Sequence, residues 1–230
     1  MKKTLVLVFT LALALVTTAM ADTLVGVTTR TGNDSADWSQ LGSPGTLVSS
    51  PFNATTVGGI GITGSFAGGG NGTVMQEGNN WFGNFAINDF VLWTNTDPNL
   101  PGQGPLTLAL SKGVSQIGAQ IQADFYGAFT AQIQAFSGNT LLGTFSESGN
   151  STSDEDNSAI YLGIKDLSGA NITSIVISLT DCAQNCTDFG INQLSLSTGQ
   201  VGQVPEPGSL MLLGSGLLGL GGFARRRFSK

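Results

Sequence analysis

The sequence predicts an all-β domain, a β-sandwich, carried between an N-terminal signal peptide and a C-terminal transmembrane helix. Three observations point to the sandwich. Apolar residues in the middle of the chain recur at every second position over short runs. Gly, Asn and Ser gather between those runs, where turns need them. No middle segment keeps a helical period beyond two turns. The divisions that follow are 1–21 for the signal peptide, 22–203 for the sandwich and 204–230 for the tail.

Met1-Lys2-Lys3 is a short basic start, and Leu5 to Val16 is apolar apart from Thr10. Ala19-Met20-Ala21 then sets small residues at Ala19 and Ala21, where a signal peptidase requires them. The apolar run is too short to span a bilayer comfortably, which argues against a retained anchor. The mature chain is expected to begin at Asp22.

Strands follow. Thr23 to Thr29 reads T-L-V-G-V-T-T. Gly118 to Gln122 alternates, and Ala128 to Phe136 does so over a longer stretch. There Phe129, Ala131, Ile133 and Ala135 share one face, and Thr130, Gln132 and Gln134 the other. Ile172 to Leu179 sets Ile175, Ile177 and Leu179 together. Turns are expected at Ser137-Gly138-Asn139, Ser148-Gly149-Asn150 and Leu167-Ser168-Gly169. Many short strands joined by such turns make a sandwich or a barrel. There is no internal repeat, and no regular Thr-x-Thr ladder of the kind a repeat-built ice-binding face requires.

Composition narrows the function. Residues 22–203 hold three basic residues, Arg30, Lys112 and Lys165, against fourteen acidic ones, a net charge of −11. A domain so acidic is a poor partner for nucleic acid, which binds basic faces. The chain has no histidine, which removes Ser-His-Asp and Cys-His catalysis and His-ligated zinc. Carboxylate pairs could in principle run a glycosidase, but fourteen acids guarantee some neighbours by chance. The expectation is a non-enzymatic protein with no cofactor, calcium excepted.

Cys182 and Cys186 are the only cysteines. In an oxidising compartment they are expected to form a local disulfide, worth about 2 kcal/mol on the chain-entropy model. Asp154-Glu155-Asp156-Asn157 is the one dense acidic cluster. It reads either as a solvated loop or as a calcium site using Asp154 and Asp156, since calcium takes carboxylate and carbonyl oxygens from flexible loops. Trp81, Phe82, Phe85, Phe90 and Trp93 crowd one segment. They read as core or, alternatively, with Trp81 and Trp93 as a sugar-stacking platform. Trp38 stands in a polar loop beside Asp34 and Asp37, is the tryptophan expected to be exposed, and joins Trp81 and Trp93 as a candidate ligand residue.

The tail closes the chain. Val204-Pro205-Glu206-Pro207 cannot continue a strand or helix and holds the backbone extended. Gly208 to Ala224 is uncharged, and as a helix it reaches roughly 25 Å, the short limit for a bilayer. Arg225-Arg226-Arg227 follows, a stop-transfer cluster that orients the span from outside to inside. The order Pro205-Glu206-Pro207, glycine-rich span and terminal arginines resembles the PEP-CTERM sorting signal. That resemblance implies recognition and processing by an exosortase, an integral membrane enzyme. It also implies export in a Gram-negative bacterium that makes exopolysaccharide. Tails of this kind are also described as the C-terminal domain of an ice-binding protein, which describes the tail and not ice binding by the chain.

A second, weaker resemblance covers residues 113–197. The runs G-V-S-Q-I-G-A-Q-I-Q, A-F-T-A-Q-I-Q-A-F, S-A-I-Y-L-G-I-K-D and D-F-G-I-N-Q-L-S-L look like the jelly-roll ectodomains found with such tails. That fold is similar to many carbohydrate-binding modules. The resemblances together imply a protein anchored transiently in the inner membrane and then delivered to the cell surface or extracellular matrix. Exopolysaccharide is an expected associate, and a carbohydrate-binding module is the alternative role.

Overall fold

The computed structural model describes residues 24–199, so the signal peptide with Ala19 and Ala21, and the whole tail from Pro205 to Arg227, lie outside the described residues. Fifteen strands occur within them: β1 (Leu24–Val27), β2 (Asp34–Ala36), β3 (Leu47–Ser49), β4 (Phe52–Thr55), β5 (Gly61–Phe66), β6 (Asn71–Gln76), β7 (Phe90–Trp93), β8 (Leu106–Val114), β9 (Gln116–Ala123), β10 (Gly127–Ser137), β11 (Thr140–Ser151), β12 (Ile160–Asp166), β13 (Ile172–Cys182), β14 (Phe189–Ile191) and β15 (Leu194–Ser197). Two short 3-10 turns, Trp38–Leu41 and Ala67–Gly69, are the described helical segments. No helix among the described residues is long and apolar enough to cross a membrane.

The strands form two antiparallel sheets packed as a sandwich. One runs β1-β12-β9-β14-β7-β6-β3, with β15 pairing both β9 and β2. The other runs β11-β10-β13-β8-β5-β4. The alternation seen in β10 does what it predicts: Phe129, Ala131, Ile133 and Ala135 are buried, and Ile175, Ile177 and Leu179 of β13 join them. Each large aliphatic side chain removed from water in this way contributes about 1.5–3 kcal/mol. The β10–β11 hairpin turns on Gly138 and Asn139, with Ser137 opposite Thr140 and Gly138 at φ +56°, a conformation glycine adopts without a Cβ penalty.

The expected turn at Ser148-Gly149-Asn150 is instead the straight end of β11, paired with Thr130, Phe129 and Ala128. Gly149 is there for contact. A Cβ on it would come within 2.7 Å of Phe129 Cζ and 3.0 Å of Ile160 Cγ2. A glycine inside a strand marks a close approach as readily as a turn.

Strand β9 is buried along most of its length on both faces. Ile117, Ala119, Ile121 and Ala123 enter the main core. The alternate residues are amides and glycine, and their polar groups are met. Gln116 Nε2 donates to Thr31 Oγ1 at 2.8 Å, and Gln122 Nε2 donates to Ser151 Oγ at 2.7 Å and to the Thr152 carbonyl at 3.0 Å. Buried amides are tolerable on these terms. The register of β15 on β9 places Ser197 beside Gln116, so the last strand leaves the sheet at the N-terminal end of β9.

Candidate functional site

Strand β7 divides its side chains between two cores. Leu92 enters the main one, while Val91 and Trp93 join a second cluster with Trp81, Phe85 and Ala159 on the outer face of the first sheet. The segment from Glu77 to Asp89 folds over that face. Glu77, itself buried, ties it down: its Oε1 accepts from the Gly83 amide at 2.6 Å and its Oε2 from the Phe85 amide at 3.1 Å. Burial pushes the Glu77 carboxyl above its ordinary value, and the amides pull it back part of the way. Trp81 packs edge-on to Trp93, with ring centres 6.2 Å apart, and is tilted against Phe85 at 6.2 Å. Both tryptophans are 5% exposed, so the core reading of this segment holds for them.

Their edges nevertheless wall a cleft of about 270 Å³. Phe82 and Tyr126 flank it at 55% and 54% exposure, and Tyr126 is pinned by its hydroxyl, which donates to the Phe82 carbonyl at 2.8 Å. Asp124, at the end of β9, also lines it. Its carboxyl accepts no hydrogen bond among the described residues. Burial, with a further contribution from the Asp188 carboxylate, pushes it up to about 6. Asp188 is the satisfied member of the two: it accepts from Trp93 Nε1 at 2.6 Å and from Asn95 Nδ2 at 2.7 Å. Sequence reasoning found Trp81, Phe82 and Trp93 but missed Asp124 and Tyr126. Their signal was Asp124-Phe125-Tyr126, two aromatics and an acid in a turn where small polar residues are usual.

Trp38 corrects the expectation of an exposed indole: it is 0% exposed. Asp37 caps the 3-10 turn by accepting from the Ser39 amide at 2.8 Å, and Asp34 accepts from the Gly58 amide at 2.7 Å and Thr56 Oγ1 at 2.6 Å. The acids that suggested solvent are ties that fold the loop inward. The indole packs edge-on against Phe52 and donates from Nε1 to the Asn192 carbonyl at 2.7 Å.

The acidic loop is a docking loop. Asn84, buried, donates to Thr152 Oγ1 at 2.6 Å and Ser158 Oγ at 3.0 Å, and accepts from the Thr152 amide at 2.7 Å. Asp154 accepts from Thr152 Oγ1 at 2.8 Å, and Asp156 from the Ser158 amide at 3.0 Å, which with the Ser158 hydroxyl holds the Asp156 carboxyl below its usual range. Asp154 serves its own turn, and Asp156 also accepts from Asn84 Nδ2 at 3.5 Å. Among the described residues no group of three or more His, Cys, Asp or Glu side chains gathers to hold a metal. A calcium site at Asp154 and Asp156 would raise the melting temperature in millimolar calcium by several degrees, through mass action on the folded state, and a melting curve unchanged with and without chelator removes the idea.

Cys182 and Cys186 are joined as a disulfide at the end of β13. A groove of about 700 Å³ is polar and is lined by two of the domain's three cations, Arg30 and Lys112. Arg30 is held by neutral acceptors, Gln193 Oε1 at 2.8 Å and Asn192 Oδ1 at 3.0 Å.

Among solved structures, the chain is similar to CsCBM6-3 of Clostridium stercorarium, solved in complex with cellobiose. The identity is 15%, over 76% of this chain and 94% of that one, with a TM-score of 0.23. An overlap that loose carries no argument about ligand. No curated protein matches the chain. The tail is different: residues 203–227 match the family model of the PEP-CTERM protein-sorting motif, which implies export and processing by an exosortase, a membrane enzyme.

Proposed function

We propose that this chain is a non-enzymatic surface or matrix protein that an exosortase-type enzyme processes at the inner membrane and that is retained in exopolysaccharide. The observation that carries the reading is the sorting motif at residues 203–227, which begins just beyond the sandwich's last strand. The basic start and Ala19-Met20-Ala21 support export, and the disulfide at Cys182 and Cys186 suits an oxidising compartment. Pro205-Glu206-Pro207 would present an extended backbone to the processing enzyme, with Arg225, Arg226 and Arg227 stopping transfer. The absence of histidine supports the non-enzymatic reading.

The test changes Pro205, Glu206 and Pro207 to alanine together. The variant should accumulate at full length in the inner membrane, while the wild type loses its tail. Fractionation with C-terminal mass analysis reads both. Processing of the variant at the wild-type rate would reduce the tail to a plain anchor. The aromatic cleft favours a second reading, in which the sandwich is a carbohydrate-binding module.

A further inference from the structure

We infer that the cleft between Phe82 and Tyr126 is a binding site for a neutral, hydroxyl-rich sugar unit, stacked on the aromatic walls and hydrogen-bonded by Asp124 and Asn80. The inference rests on the carbohydrate-binding reading and gives it a location and a ligand class. It is independent of the sorting tail.

The walls come first. Soluble domains seldom leave large aromatics exposed side by side without a use for them. Phe82 and Tyr126 are both more than half exposed, and the hydroxyl bond between them fixes the phenol in place before any ligand arrives. The phenol so held, with the exposed Phe82 ring beside it, offers apolar contact area at small entropic cost. Beneath them, Trp81 and Trp93 supply further indole surface. A cleft of about 270 Å³ has room for one sugar ring with its substituents.

The polar groups decide the ligand. Asp124 is a partly buried carboxyl with no donor among the described residues, and such a group is costly until it is given one. Asn80 lines the same cleft. Its Oδ1 accepts from the Gln76 amide at 2.8 Å, but its Nδ2 makes no hydrogen bond among the described residues. Gln122, by contrast, is fully committed, its Oε1 to the Asn84 amide and its Nε2 to Ser151 and Thr152. The cleft therefore offers one idle acceptor, the idle Asn80 donor and flat apolar walls. A pyranose answers all three, with hydroxyls that donate and accept and a C–H face that stacks. A quaternary ammonium ion would satisfy the aromatic walls and Asp124. It would leave Asn80 idle. An acidic sugar would set its carboxylate against Asp124 and Asp188.

The full-length chain, kept in a polyoxyethylene detergent that carries no sugar headgroup, is titrated calorimetrically with neutral tetrasaccharides: cello-, xylo-, laminari- and mannotetraose. Choline and tetragalacturonate are the competing arms. At least one neutral sugar should bind. Phe82→Ala and Tyr126→Ala, exposed positions whose loss leaves the fold intact, should each weaken that binding roughly tenfold or more, while Tyr126→Phe, which keeps the ring, stays within about threefold of wild type. Asp124→Asn should weaken it as well. Lys112→Ala, in the polar groove, should change nothing. The inference is overturned if no neutral sugar binds at millimolar concentration or if choline or the uronate binds in their place. It is also overturned if binding survives the cleft variants and is lost at Lys112. None of these outcomes touches the processing assay on the Pro-Glu-Pro variant, so the two readings fail separately.

Discussion

Trp38→Ala lowers the melting temperature on the order of 10 °C and leaves the surface chemistry of the domain as it was. Emptying a fully buried tryptophan site costs about 3–5 kcal/mol, because the lost transfer energy is joined by a cavity the sheets cannot close. For a domain of this size each kcal/mol moves the midpoint roughly 2–4 °C. The indole also satisfies the carbonyl of Asn192, a residue with no exposure of its own. Asn192 is itself a junction: its Nδ2 donates to Asp89 and Gln120, and its Oδ1 accepts from Arg30 and the Gln120 amide. Removing the indole thus frees a buried acceptor at the centre of a polar network, which adds to the loss. Thermal unfolding followed by circular dichroism measures the shift. A fall of less than about 2 °C would mean that the loop opens and the tryptophan is not part of the core.

The misreading of Trp38 shows where sequence periodicity stops. In β10, four apolar residues at every second position name their own face, and burial follows. Trp38 sits in a four-residue turn with only Leu41 as a second large apolar residue. No period exists to orient it, and Asp34 and Asp37 suggested water although they spend their oxygens on amides and on the Thr56 hydroxyl. Ser148-Gly149-Asn150 misled in the opposite way, because turn residues sit inside a strand when a ring such as Phe129 must lie across the backbone. The cleft was half legible. Trp81, Phe82 and Trp93 crowd one segment, but Asp124 and Tyr126 arrive from another, brought beside them when β14 pairs with both β7 and β9. Register over such separations is not visible in local pattern.

Asp124→Asn should stabilise the domain above pH 6. The carboxyl moves from an ordinary 3.8 to about 6 on folding. A carboxyl with a raised folded value holds its proton more tightly in the folded state. Its penalty is therefore absent below the unfolded value, grows between the two, and is complete above the folded one. The full linkage is roughly 3 kcal/mol, and solvent access to part of the group reduces it to about 1–2 kcal/mol. The variant should melt roughly 3–6 °C above wild type near pH 8, and the two curves should converge as the pH falls toward about 3.5. A pH-independent difference would assign the effect to packing. The same substitution is expected to weaken sugar binding, so the carboxylate costs stability and supplies affinity, a trade common at ligand sites.

The register of β15 gives the molecule a top and a bottom. The last strand leaves the sheet where Ser197 lies beside Gln116, and Asp124 stands eight residues further along β9, about 25 Å away at the rise of an antiparallel strand. Seven residues, 198–204, separate Ser197 from Pro205, and fully stretched they reach roughly 25 Å. The polar groove, which includes Ser195 and Thr198, therefore lies at the end of the sandwich from which the chain runs on toward the sorting motif, and the aromatic cleft, lined by Asp124, lies at the opposite pole.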